Sequence, residues 1–153
     1  MNNNAFKYKL FGRFKGRKKN NINLSSILSE YKVDLKNDIK IDQYNILDIG
    51  SGSGENALYL SNKFSNSKII TCELFEDGNI NLCNSIAKQQ IKNIRLFNGN
   101  VIQFFDQLST RLLFDEIWIL FPDPWPKLRH HKRRLINKTF LKNTYNFLKV
   151  SGK

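Results

Sequence analysis

The chain has 153 residues, 41% of them apolar, with 25 Lys and Arg set against 13 Asp and Glu for a formal charge of +12. That length suits one domain with a real core, and two cysteines, Cys72 and Cys83, are too few for a disulfide framework and suit a reducing cytosol. The apolar stretch at 117–121 is far too short for a bilayer and no hydrophobic leader follows the N-terminal cations, so a cytoplasmic protein without a membrane partner is expected.

Residues 1–20 carry Lys7, Lys9, Arg13, Lys15, Arg17, Lys18 and Lys19 and no acid. Polar, basic and punctuated by glycine, residues 1–22 are expected to be an arm that orders on a partner, ahead of one domain over 23–153. A short helix is expected over 24–31, capped near Ser25 or Ser26. Apolar runs and periodicity then predict strands at 44–49, 68–72, 94–97 and 114–120, and helices at 55–64, 76–91, 101–112 and 135–148. The last of these is expected to present Ile136, Phe140, Leu141 and Leu148 on or near one face. Repeated strand-helix units imply an α/β domain, a parallel sheet with helices on both faces. Cys72 and Cys83 fall inside elements as small apolar fillers, and Trp118, between Ile117 and Ile119, is expected in the core.

Between the first strand and its helix lies Leu47-Asp48-Ile49-Gly50-Ser51-Gly52-Ser53-Gly54. Glycines at such a turn let the backbone turn tightly and come close to a cofactor. A dinucleotide fingerprint wants G-x-G-x-x-G, whereas this chain has G-x-G-x-G preceded by Asp48. A pyrophosphate would be repelled by that carboxylate; a cofactor with a cationic amino group would not. Glu73, about twenty residues on, closes the second strand, where a carboxylate can accept both hydroxyls of an unphosphorylated ribose. Asn100, just past the third strand, stands where an adenine edge could be read.

The run from Phe121 through Pro122, Asp123, Pro124, Trp125, Pro126, Lys127, Leu128, Arg129, His130, His131, Lys132 and Arg133 to Arg134 follows the fourth strand and holds all three prolines. Its five cations and one acid, with the seven cations of the arm, account for all but one unit of the formal net charge of +12. A stiff turn at a strand's carboxyl end, carrying a lone carboxylate, an indole and clustered cations, points to a polyanion that presents a nucleobase. Trp125 either stacks a base or packs against the core. His130 and His131 are adjacent, without the helical i, i+4 spacing of a metal pair, so no metal site is expected.

The turn from Asp48 to Gly54, Glu73, the Pro-Asp-Pro-Trp stretch and the arm motif Phe11-Gly12-Arg13-Phe14-Lys15-Gly16-Arg17 together resemble the bacterial tRNA (guanine-N7)-methyltransferases. That resemblance implies a Rossmann-like class I methyltransferase fold and S-adenosylmethionine as cofactor. It further implies tRNA as substrate, methylated at N7 of guanine 46 in the variable loop. It places cofactor contacts on Asp48, Gly50, Gly52, Gly54, Glu73, Asn100 and Asp123, the active-site acid on Asp123, and a tRNA contact on Lys127. Arg129, Lys132, Arg133 and Arg134 join Lys127 as expected phosphate ligands. Where the family usually has Asp, this chain has Asn100.

The resemblance also implies further strands beyond the turn at 150–152, so the sheet is expected to lack its C-terminal strands and to leave the outer edge of its fourth strand open. The leading expectation is a tRNA guanine-N7 methyltransferase. The alternative is an inactive remnant that only binds S-adenosylmethionine, tRNA or both. A nicotinamide-dependent oxidoreductase fits poorly, because the glycine spacing and the cationic run both oppose it.

Overall fold

A computed structural model describes residues 24–153, the side chains of Leu24 and Ser25 excepted; the basic arm and its motif at 11–17 lie outside the described residues. Helix α1 (Leu24–Tyr31) contains both serines expected to cap it. There follow β1 (Asn45–Ile49), α2 (Glu55–Lys63), β2 (Lys68–Glu73), α3 (Glu76–Gln89), β3 (Ile94–Asn98), α4 (Val101–Gln107), β4 (Glu116–Ile119), a 3-10 helix (Leu128–Arg133) and α5 (Lys138–Tyr145).

The four strands form one parallel sheet in the order β3-β2-β1-β4. β1 is buried along its whole length, as a central parallel strand covered on both faces must be. Side chains alternate across it. Ile46, with Ile69 of β2, joins Leu60, Leu82 and Ile86 from α2 and α3, while Leu47, Ile49, Ile70 and Cys72 join Phe104, Phe105, Phe114 and Phe140 on the opposite face. The chain runs outward from β1 to β3 with α2 and α3 on one face, then crosses back by way of α4 on the other to place β4 beside β1. Opposite faces for opposite directions are what right-handed crossovers require. The order reverses between β1 and β4, and the crevice above their carboxyl ends is the ligand position of such sheets.

Three elements are markedly shorter than their patterns suggested. α4 stops at Gln107, because Leu108 turns extended and Leu112 takes a left-handed φ of 56°. α5 begins at Lys138, where the Asn137 side chain accepts the Phe140 N–H at 3.0 Å, and ends at Tyr145. Of its expected apolar face only Phe140 is buried, while Ile136 and Leu141 are exposed. β4 keeps Glu116–Ile119, with Phe114 in an isolated parallel bridge to Leu148. Trp118 is half-buried against the α2–α3 core and donates its indole N–H to Glu116 at 2.7 Å. Cys72 and Cys83 are buried inside β2 and α3.

The outer edge of β4 is not wholly open. Lys153 donates its N–H to the Asp115 carbonyl at 3.0 Å and accepts the Ile117 N–H at 2.8 Å, the pattern of a parallel ladder flanking Glu116. Asp115 fixes this return: its carboxylate accepts the Asn45 N–H at 2.8 Å and pairs with the Lys149 ammonium at 2.8 Å.

Candidate active site

A cavity of about 350 Å³ opens at the carboxyl ends of the strands. Its walls come from segments far apart in the chain: Ile49, Gly50 and Gly52 after β1, Cys72, Glu73, Leu74 and Phe75 at the end of β2, Gly99 and Val101 after β3, and Ile119 through Asp123, with Trp125, Arg133 and Leu135, after β4.

The glycine turn is shaped for a close approach. Gly50 and Gly52 have φ of 73° and 56°, and a Cβ placed on either meets nothing within 4 Å, so bare backbone faces open space. Gly54 serves otherwise. At φ 91° it precedes the first residue of α2, and its missing Cβ would lie 2.6 Å from Leu82 Cδ1, so it lets α2 and α3 close on each other and does not line the cavity.

Glu73 ties this turn to β2. Its Oε2 accepts the Gly52 N–H at 2.8 Å, and its Oε1 accepts the N–H groups of Leu74 and Phe75 at 2.6 and 2.8 Å. Oε1 thus has both lone pairs engaged, while Oε2 keeps one at the cavity wall.

Asp48 lies under the turn, not in the cavity wall. The two-residue period that puts Leu47 and Ile49 on the α4 face turns Asp48 toward α2, where Asn56 donates to its Oδ1 at 3.0 Å. The residue is 1% exposed and Oδ2 has no partner among the described residues. Burial pushes its carboxyl up to about 6, against the Asn56 hydrogen bond, with the Glu73 charge adding to the rise.

Asn100 caps α4, its Oδ1 accepting the Ile102 N–H at 2.7 Å, and the flanking Gly99 and Val101 line the cavity in its place. The cap engages the side-chain oxygen at the position where an adenine edge is expected to be read.

Beyond β4 the chain turns through Phe121 and Trp125, both at positive φ, 48° and 39°. Asp123, between them, is exposed and lines the cavity. The Arg133 guanidinium sits 5.0 Å from the centre of the half-buried Trp125 ring, and His130 meets that ring edge-on at 5.5 Å. Arg134 Nε donates to the Pro124 carbonyl at 2.9 Å. Arg133 therefore lines the cavity and Arg134 braces the turn, whereas Lys127, Arg129 and Lys132 are exposed on the outside of the 3-10 helix.

A family model described as "Putative methyltransferase" matches residues 42–153. The tRNA (guanine-N(7)-)-methyltransferase of Bartonella quintana is 34% identical over 94% of this chain and 67% of its own length. The chain belongs to the tRNA (guanine-N(7)-)-methyltransferase family. Enzymes of the same name from Nitrosomonas europaea and Corynebacterium diphtheriae are 36% and 35% identical over 82% and 70% of this chain, and over 56% and 41% of their own lengths. The chain thus spans about half the length of most of these relatives. Coclaurine N-methyltransferase bound to N-methylheliamine and SAH superposes with a TM-score of 0.55 at 16% identity, over 84% of this chain and 34% of that one. Phosphoethanolamine N-methyltransferase 2 of Haemonchus contortus gives 0.51 at 16%, over 84% and 26%. The fold is the Rossmann-like class I methyltransferase fold.

In this member of the tRNA (guanine-N(7)-)-methyltransferase family, the cavity gathers Gly50, Gly52, Glu73 and Asp123 with Arg133, while Asp48, Gly54 and Asn100 stand behind it. Sequence reading missed Asn56 and Gly78. A Cβ on Gly78 would strike the Gly52 carbonyl, so α3 touches the glycine turn through bare backbone. The signal was a glycine inside a helix, unfavourable there unless something comes close. Among the described residues no helix is long and apolar enough to cross a membrane.

Proposed function

We propose that this chain binds S-adenosylmethionine in the cavity and transfers its methyl group to N7 of a guanine in tRNA, the variable-loop guanine 46 of the family resemblance. One observation carries the reading: Asp123, from the cation-rich turn, lines the same cavity as Glu73 and the bare-backbone glycines. The residues fit the cofactor. Glu73 Oε2 has a lone pair for a ribose hydroxyl, and Gly50 and Gly52 leave room for close contact. The carboxylate of Asp48 beneath the turn favours a cationic amino group above it.

The sulfonium supplies an electrophilic methyl: the N7 lone pair forms the new N–C bond, the C–S bond breaks, and its electrons leave with sulfur as a thioether. No proton has to move. The protein's task is therefore alignment and charge. Asp123 holds the guanine or cofactor in line and stabilises the positive charge that grows on the purine. Lys127, Arg129 and Lys132, exposed beside the mouth, bind phosphates and set the register of the RNA. The arm at 1–22 adds a second basic contact to the domain over 23–153.

The test is incubation with methyl-labelled S-adenosylmethionine and unmodified tRNA transcript, followed by mapping the label by cleavage at N7-methylguanine. Label at one variable-loop guanine supports the proposal. A folded chain that binds cofactor and transfers nothing is the binding-only alternative.

A further inference from the structure

Phe121 is 97% exposed, yet it belongs to the cavity wall, at the rim two residues before Asp123. Its φ of 48° is rare for a bulky side chain, and Pro122 restricts it further by steering the preceding residue toward extended backbone. The ring returns nothing for this in packing: among the described residues it makes no ring contact, and it buries almost no surface. Backbone held against its preference to present an unburied aromatic face points to a ligand. Trp125, the other candidate for stacking, has its ring occupied by Arg133 at 5.0 Å and His130 at 5.5 Å.

We propose that Phe121, not Trp125, is the stacking platform for the purine presented to the cavity, and so a substrate-positioning residue. The inference rests on the proposed guanine methylation and adds the residue that holds the base. A purine stacked on this ring at the rim is beside Asp123, with the cofactor region behind it. Every base has a π face, so the ring supplies hold and orientation, and polar groups such as Asp123 are left to discriminate.

The test compares the full chain with Phe121→Ala, Phe121→Leu and Phe121→Trp, each verified by thermal melting; removal of so exposed a ring leaves the core intact. One readout is kcat/KM for tRNA transcript. The other is the emission of 2-aminopurine placed at the target guanine, in saturated complexes with S-adenosylhomocysteine. The probe is expected to be dim on wild type and Phe121→Trp and bright on Phe121→Ala and Phe121→Leu. In parallel kcat/KM falls roughly 10- to 100-fold in the Ala and Leu variants, while S-adenosylmethionine affinity does not change. Equal emission from wild type and Phe121→Ala overturns the platform, as does a Leu variant that behaves as wild type. If the wild-type chain transfers no methyl group but the probe still brightens in Phe121→Ala, the platform stands and the catalytic reading fails. If there is neither transfer nor a difference in emission, both fail.

Discussion

The carboxylate of Glu73 accepts the amide hydrogen of Gly52 at 2.8 Å, so the last residue of β2 holds the turn that leaves β1. Two further amides, of Leu74 and Phe75, converge on its other oxygen. Glu73→Ala should lower stability by about 2 kcal/mol, because hydrogen bonds to a charged group are strong and three buried or half-buried donors lose their acceptor. Cofactor affinity should fall at least about tenfold, one good charge-assisted hydrogen bond's worth. Denaturation and calorimetric titration read the two effects. Glu73→Gln, with one acceptor oxygen left, should fall between.

Gly78→Ala separates helix propensity from tertiary contact. Propensity alone makes Ala better than Gly inside α3 by about 1 kcal/mol. The added Cβ, however, would strike the Gly52 carbonyl and come within 2.9 Å of Phe75 Cδ1. A net loss of about 1 to 3 kcal/mol is expected, together with weaker cofactor binding as the turn is displaced. A melting temperature at or above wild type would show that α3 can move away freely.

Asp48 should make stability fall as pH rises, the reverse of a salt-bridged carboxylate. Its carboxyl is raised from 3.8 to about 6, so the native state binds the proton more tightly than the unfolded chain. The stabilisation is complete below pH 3.8 and is lost as pH climbs through 6, amounting to about 3 kcal/mol for a shift of this size. Asp48→Asn should remove that slope. Its gain at pH 8 should be smaller, about 1 kcal/mol, because the amide leaves an unpaired N–H where Oδ2 had been unpaired. Urea unfolding at several pH values, variant against wild type, measures the difference.

Asp123 is exposed on its turn, so Asp123→Ala should leave the melting temperature unchanged. Methyl transfer should fall by at least about 100-fold, the scale of losing one electrostatic stabiliser of a transition state. Near-full activity in single-turnover assays would place the centre elsewhere.

The cations divide into two sets. Neutralising Lys127, Arg129 and Lys132 should reduce the slope of log affinity for tRNA against log salt by about 2 to 3, from about 0.7 to 0.9 per lost phosphate contact. Arg133→Ala and Arg134→Ala should alter that slope little. They should instead loosen the turn, since Arg133 stacks on Trp125 and Arg134 holds the Pro124 carbonyl. Filter binding across a salt series tests both statements.

Much of this architecture was legible in order along the chain. Runs rich in Ile and Leu marked β1 and β2 because a central parallel strand is buried on both faces, and the glycine turn announced itself between a strand and a helix. The ends of α4 and α5 were not legible. Periodicity continues past Gln107 and begins before Lys138, and what bounds each helix is local: the extended backbone of Leu108 ends α4 and the cap of Asn137 begins α5. The apolar residues of 135–148 suggested one buried face, yet only Phe140 is fully buried in the sheet core, with Leu135 and Phe147 packed at its margin while Ile136 and Leu141 face solvent. Among the cations, spacing could not tell one that reaches solvent from one that braces its own turn.

The sequence alone determined the class of fold, the glycine turn between its first strand and helix, and the concentration of positive charge beside a lone carboxylate. These follow from composition, period and residue type, which act over a few neighbouring positions. The tertiary structure decided which of those residues share a cavity. The sheet order puts β4 beside β1 and so brings Asp123 to the glycine turn. The strand period turns Asp48 under the turn, α3 reaches the turn through Gly78, and Arg133 takes the face of Trp125. The contacts of Asp123 and Gly78 with the glycine turn join segments distant in the chain, and those of Asp48 and Arg133 depend on how neighbouring segments fold back on each other; packing sets them all.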